Sequence, residues 1–196
     1  MKKITLTLSL ILFSILGFSQ YTNFELRIAD GVNEYRGSQG LKDINFIYSL
    51  NDKLDFLLER VVEANSLWNT DGGHSSNFKY SYKLISEQFK ENSVAHKEIE
   101  KLYPNVDFKY ETIKMVKSDG ETTFNSISHF AGENLCRTNL LNYNPQHFVN
   151  NWIKSPTHEH IMTLNKDNTI PIGVINVIYH EDWCYVTLII ILLEKE

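Results

Sequence analysis

A chain of 196 residues with 42 % hydrophobic side chains is long and apolar enough to bury one core. Its formal charge of −5 and the absence of any Lys/Arg cluster argue against a nucleic-acid surface or another polyanion partner. Two cysteines, Cys136 and Cys184, cannot form a disulfide framework; one bridge and two buried free thiols are both open.

The N-terminus reads as a signal peptide over residues 1–19. Lys2-Lys3 supply a positive n-region, Ile4 to Phe18 is an apolar run too short for a comfortable membrane span, and Gly17 and Ser19 are small residues at −3 and −1 of a cut before Gln20. The bland rival is a retained N-terminal anchor. Cleavage implies a secreted or periplasmic protein. No cysteine stands beside the cut, so no lipid anchor is suggested, and no later run is long enough to span. Stable membrane insertion is not expected.

Phe24, Ile28, Val32 and Tyr35 form a helical stripe that stops near Gly37 and Gly40. Ser49 to Asp52 caps a second helix, whose apolar face runs to about Leu67 before Asn69 to Gly73 breaks it. His74-Ser75 follows. Tyr82, Ile85 and Phe89 suggest a further helix, and Ala95 to Leu102 another. Phe108 to Val116 partly alternates, as a strand would, and Ser118-Asp119-Gly120 bounds it as a turn.

Gly132-Glu133-Asn134-Leu135 puts a carboxylate between a glycine and an amide, a pattern expected in a loop braced by Asn134. Farther on, Asn144 is a good N-cap with Pro145 at the first helical position. Phe148, Val149, Trp152 and Ile153 form the core stripe of that helix, which places Trp152 in the core. Ser155-Pro156 ends it and opens a second short helix with His158 in its first turn. The C-terminus is a hairpin of two β-branched and aromatic runs, 172–179 and 183–190, joined by His180-Glu181-Asp182.

Gly-Glu-Asn-Leu at 132–135, followed by Trp152-x-x-Ser155-Pro156-x-His158, resembles the CAP superfamily (cysteine-rich secretory proteins, antigen 5 and pathogenesis-related proteins), most of all its short bacterial secreted members. Asn33-x-x-Arg36 with Gly40-Leu41 is similar to that family's opening helix, His74-Ser75 to its "H-S", and Ile172-Gly173-Val174 to its "I-G-V" strand. The resemblance implies one domain over 20–196 with an extended middle segment at about 76–131. It also implies an α+β fold: a three-layer α-β-α sandwich around a small, mostly antiparallel central sheet.

In that family's fold two His and the G-E-N Glu line a cleft, which here implies His74, Glu133 and His158. Two imidazoles and a carboxylate suit a divalent metal such as zinc. The second Glu of the vertebrate and plant pattern is replaced by Ser155, so a four-residue site is not implied. His158-Glu159-His160 is not H-E-x-x-H, because residues two apart on a helix face roughly opposite ways. Ser155 before a proline reads as a cap rather than a nucleophile. The favoured function is a binding or interaction module for an unknown ligand, lipid or peptide. A metal-assisted hydrolase acting on peptide or cell-surface material and a sterol or lipid carrier are the alternatives.

Export is expected to remove the first nineteen residues. The intact mass of protein recovered outside the cytoplasm should match a chain starting at Gln20; a mass retaining Met1 would refute the leader.

Overall fold

The computed structural model describes residues 23–47, 50, 88–117 and 120–196. Among them are four helices: α1 (Asn23–Ser38), α2 (Val94–Leu102), α3 (Pro145–Lys154) and α4 (Pro156–Met162). Six strands accompany them: β1 (Asn45–Phe46), β2 (Tyr110–Lys117), β3 (Gly120–Ile127), β4 (His129–Asn139), β5 (Thr169–His180) and β6 (Trp183–Glu194). The chain is therefore mixed α+β. Its main sheet has the order β1-β5-β6-β4, with β1 parallel to β5 and the other pairs antiparallel; β2 and β3 form a separate hairpin.

Local chemistry accounts for the helix ends. Gly40 takes φ +72°, Leu41 N–H bonds the Arg36 carbonyl (3.0 Å) and Gly40 N–H that of Gly37 (3.0 Å), a Schellman stop for α1. Ser93 caps α2 by accepting from His96 N–H (3.0 Å). The β5–β6 turn is two residues long, and Glu181 supplies the positive φ (50°) that such tight turns need.

β6 lies between β5 and β4, and every residue from Cys184 to Leu193 is buried. A strand covered on both faces gains nothing from alternating polarity, which is why it reads as a continuous apolar run. On one face Leu188 and Ile190, with Ile175 of β5, pack against Ile28 and Val32 of α1 and Phe148, Val149 and Trp152 of α3. Trp152 is 0 % exposed, as expected. On the other face Ile189, Ile191 and Val174 pack with Ile99 of α2 and with Ile47, Leu50 and Phe89.

Two glycines leave room for side chains packed tightly against the main sheet. A Cβ on Gly132 of β4 would stand 2.8 Å from Leu164 Cδ1 and 3.2 Å from Ile161 Cγ2. One on Gly173 of β5 would stand 2.7 Å from both Ile44 and Phe46. Any side chain there would force packed groups apart.

Three expectations fare differently. The expected strand from Phe108 begins at Tyr110 as β2, and the residues of its turn at 118–119 lie outside the described ones. The helix from Ser49 and nearly all of that near Tyr82 lie outside them as well. Gly132 to Asn134, expected in a loop, sit inside the eleven-residue strand β4, in continuous register with β6. Cross-strand pairing, invisible in the local polarity of Glu133-Asn134, sets the conformation there.

The end of β6 is tied to three other segments through Glu194. Its carboxylate accepts from Lys166 Nζ (2.8 Å), Ser128 Oγ (2.9 Å) and Lys109 Nζ (3.2 Å). These bonds, that of Lys166 foremost, hold its pKa down at about 2. A depressed carboxylate stabilises the fold above its ordinary value of 4.5 and loses that contribution as pH falls towards about 2. Unfolding midpoints of wild type and Glu194→Gln should accordingly differ at pH 7 and converge as pH falls to about 2. A constant gap would refute this.

Candidate functional site

The α3–α4 junction is assembled as its sequence suggests, with one correction. The Asn144 side chain accepts from Gln146 N–H (2.9 Å) and Pro145 opens α3. Ser155, extended at φ −104° and ψ 113°, ends α3 and begins α4. Its hydroxyl makes no capping bond. Pro156, with φ already fixed by its ring and no N–H to satisfy, sets the helix start without it.

His158 lies in the first turn of α4 and is partly buried. What ties it to Gly-Glu-Asn is its backbone: Asn134 Nδ2 donates to the His158 carbonyl (2.8 Å). Asn134 is 0 % exposed and lies opposite Leu188, so it shares the face covered by α1, α3 and α4. Its expected bracing role is thereby met from a strand rather than a loop.

Strand alternation sends the neighbouring Glu133 the other way. Glu133 pairs with Ile189, whose side chain belongs to the α2-side cluster, and is 4 % exposed. The carboxylate and the helix bearing His158 thus stand on opposite faces of β4, the outermost strand of the sheet among the described residues. His74 lies outside those residues. Among the described residues no three His, Cys, Asp or Glu side chains gather into a metal-binding group.

Glu133 shares its face with two polar residues that sequence reading missed. Asn176 of β5 (1 % exposed) and Thr187 of β6 (3 %) face each other across the strands, and Thr187 is also opposite Leu135 of β4. The Thr187 hydroxyl is buried without a hydrogen-bond partner among the described residues. The available signal was a single polar residue inside each of two apolar runs, Ile-Asn-Val and Val-Thr-Leu. Such groups are costly to bury, so their presence on an aliphatic sheet face is informative.

Asn33 and Arg36, weak as a sequence signal, hold the helical side together. Asn33 makes a two-way clasp with Ile44, accepting from its N–H (2.8 Å) and donating to its carbonyl (3.0 Å) just before β1. Arg36 is 0 % exposed. Its guanidinium donates to the carbonyls of Met162 (2.6 Å) and Leu164 (3.1 Å) at the end of α4, and to that of Lys42 (2.9 Å). A cation there satisfies carbonyls that a helix C-terminus leaves open and meets the negative end of its dipole. Burial pushes the Arg36 pKa down, while the Asp43 charge opposes that.

One turn before the end of α4, Tyr35 Oη donates to Glu159 Oε1 (2.7 Å), the main reason its pKa is raised. Helix α4 is therefore pinned at the His158 carbonyl, at Glu159 and at its C-terminus. The two cysteines stand as free thiols. Burial raises both, and Cys184, also feeling Cys136, is pushed up to about 12; neither is an activated nucleophile.

Replacing Arg36 by Met should lower the unfolding free energy by about 3 kcal/mol or more, because it leaves buried carbonyls without donors. Arg36→Lys should recover only part, since one ammonium cannot reproduce the guanidinium fork. Urea titration measures both, and a neutral Arg36→Met would refute the clamp.

Compared with protein-family models, characterised proteins and solved structures, the chain matches none of them.

Proposed function

We propose that this chain is an exported, CAP-like binding module, built as a three-layer α-β-α sandwich, whose ligand cleft is formed by His74, Glu133 and His158. One observation carries the reading. Residues of the scattered motifs, Arg36, Asn134 and His158, act on a single short helix: Asn134 bonds the carbonyl of His158 within α4, and Arg36 closes the end of that helix. Independent local accidents would not be expected to interlock in this way. Apolar clusters on both sides of the main sheet, with helices in each, support the layered arrangement.

Glu133 and His158 would meet round the edge of β4 that is outermost among the described residues, with His74 completing the set. The donor types fit a divalent ion: two neutral imidazole nitrogens and one carboxylate make an ordinary zinc set. Bound there, zinc would supply a positive charge able to hold an anionic or carbonyl group of a peptide or lipid ligand. A binding role is preferred to a hydrolytic one because fold resemblance alone does not carry activity.

Calorimetric titration with zinc at pH 7 tests the site directly. A single class of sites should appear, weakened at least about tenfold by His74→Ala or His158→Ala, the loss of one ligand being worth more than 1.4 kcal/mol. Affinity should fall as pH drops through about 6.5, where imidazole protonates. Wild type that takes no zinc, or binding indifferent to both substitutions, would overturn the site. Peptide cleavage by the zinc-loaded protein, abolished in Glu133→Gln, would replace binding with hydrolysis.

A further inference from the structure

The outer surface of the helical layer carries a second cleft, separate from Glu133 and His158. It lies between α1 and α3, holds about 390 Å³, and is lined by Gly31, Glu34, Tyr35, Ser38, Gln146 and Ile153. That volume falls in the range of small-ligand sites. Gly31 forms part of its floor: a Cβ there would stand 3.2 Å from Val149 Cγ2 and 3.6 Å from Gln146 Oε1.

The hydrogen-bonding inventory of this cleft is weighted towards acceptors. Its two hydroxyl donors and one N–H of the Gln146 amide are already engaged within the protein, which leaves the second Gln146 N–H as a donor. Tyr35 Oη donates to Glu159 Oε1 (2.7 Å), Ser38 Oγ donates to the Tyr35 carbonyl (2.6 Å), and Gln146 Nε2 donates to Asn150 Oδ1 (3.0 Å). Beside that one N–H, what remains are acceptors: the Glu34 carboxylate, Gln146 Oε1 and the lone pairs of the Tyr35 hydroxyl. Among the described residues Glu34 has no ion-pair or hydrogen-bond partner. A cleft offering acceptors and a negative charge is complementary to a group that has only donors and a positive charge. The aromatic ring of Tyr35 and the aliphatic side chain of Ile153 add surface for the carbon stem of such a ligand.

We propose that the α1–α3 cleft binds a protonated amine or guanidinium, with Glu34 as its counter-charge and Gln146 and Tyr35 as neutral acceptors. The same chemistry occurs in a basic side chain of a peptide and in a free polyamine. This assignment stands independently of the His74–Glu133–His158 reading, because the two share no residue.

The test uses amide chemical-shift mapping of the mature chain with three probes: Nα-acetyl-lysine methylamide, putrescine and the uncharged Nα-acetyl-norleucine methylamide. Both cationic probes should shift the amides of Glu34, Tyr35 and Gln146, while the norleucine compound should not. Tighter binding of the lysine compound assigns the site to peptides; tighter putrescine binding assigns it to polyamines. Glu34→Gln, at an exposed position, should keep the wild-type unfolding midpoint and weaken cationic binding by about tenfold, the equivalent of one charge-assisted hydrogen bond. Three results would overturn the proposal: no shifts in the cleft, equal binding of the norleucine compound, or unchanged affinity in Glu34→Gln.

Discussion

The buried guanidinium of Arg36 is the constraint on which the helical side of the molecule depends. A charged group at 0 % exposure is tolerable only if its desolvation is opposed, and here the carbonyls of Lys42, Met162 and Leu164 accept from its Nε and Nη1, while Nη2 has no partner among the described residues. Those carbonyls come from the segment after α1 and from the end of α4. Bonding from Nε and Nη1 of one side chain therefore brings together parts of the chain more than a hundred residues apart. With the C-terminus of α4 fixed this way, the bond from Asn134 to the His158 carbonyl sets the other end. His158 inherits its position from both.

The sheet divides the chemistry as well as the packing. The face under α1 and α3 is apolar and carries Asn134 as a brace, whereas the opposite face holds Glu133, Asn176 and Thr187 among isoleucines and valines. One residue of offset along β4 separates a structural amide from a buried carboxylate. A one-residue register slip would exchange them, burying the carboxylate under the helices and leaving the His158 carbonyl without its donor. Eleven consecutive β4–β6 partners make that slip costly.

Much of this was legible in the sequence because it is local. The stripe from Phe24, the Asn144-Pro145 cap, the Ser155-Pro156 break and the C-terminal hairpin each follow from residues within a few positions of one another. What escaped depends on distant partners. Gly-Glu-Asn looks like loop chemistry until β6 pairs beside it, and Arg36 looks like a solvated helix residue until α4 ends against it. Ser155 looks like a cap, but the proline after it makes one unnecessary. Asn176 and Thr187 were hidden in the opposite sense: their apolar neighbours announced strands, and two polar exceptions were passed over. Of the three residues proposed for a cleft, the described structure covers Glu133 and His158; His74 was legible only through the family resemblance.

The strand order has a consequence for how the chain reaches this state. β6, which follows both β4 and β5 in the chain, lies between them, and β5 in turn holds β1. Neither β4 nor β5 has its main partner until β6 is present. Such long-range closure slows folding and keeps the growing chain open. A polypeptide threaded N-terminus first through a pore would be unable to zip this sheet shut early, since the strand that closes it emerges only after both of its partners.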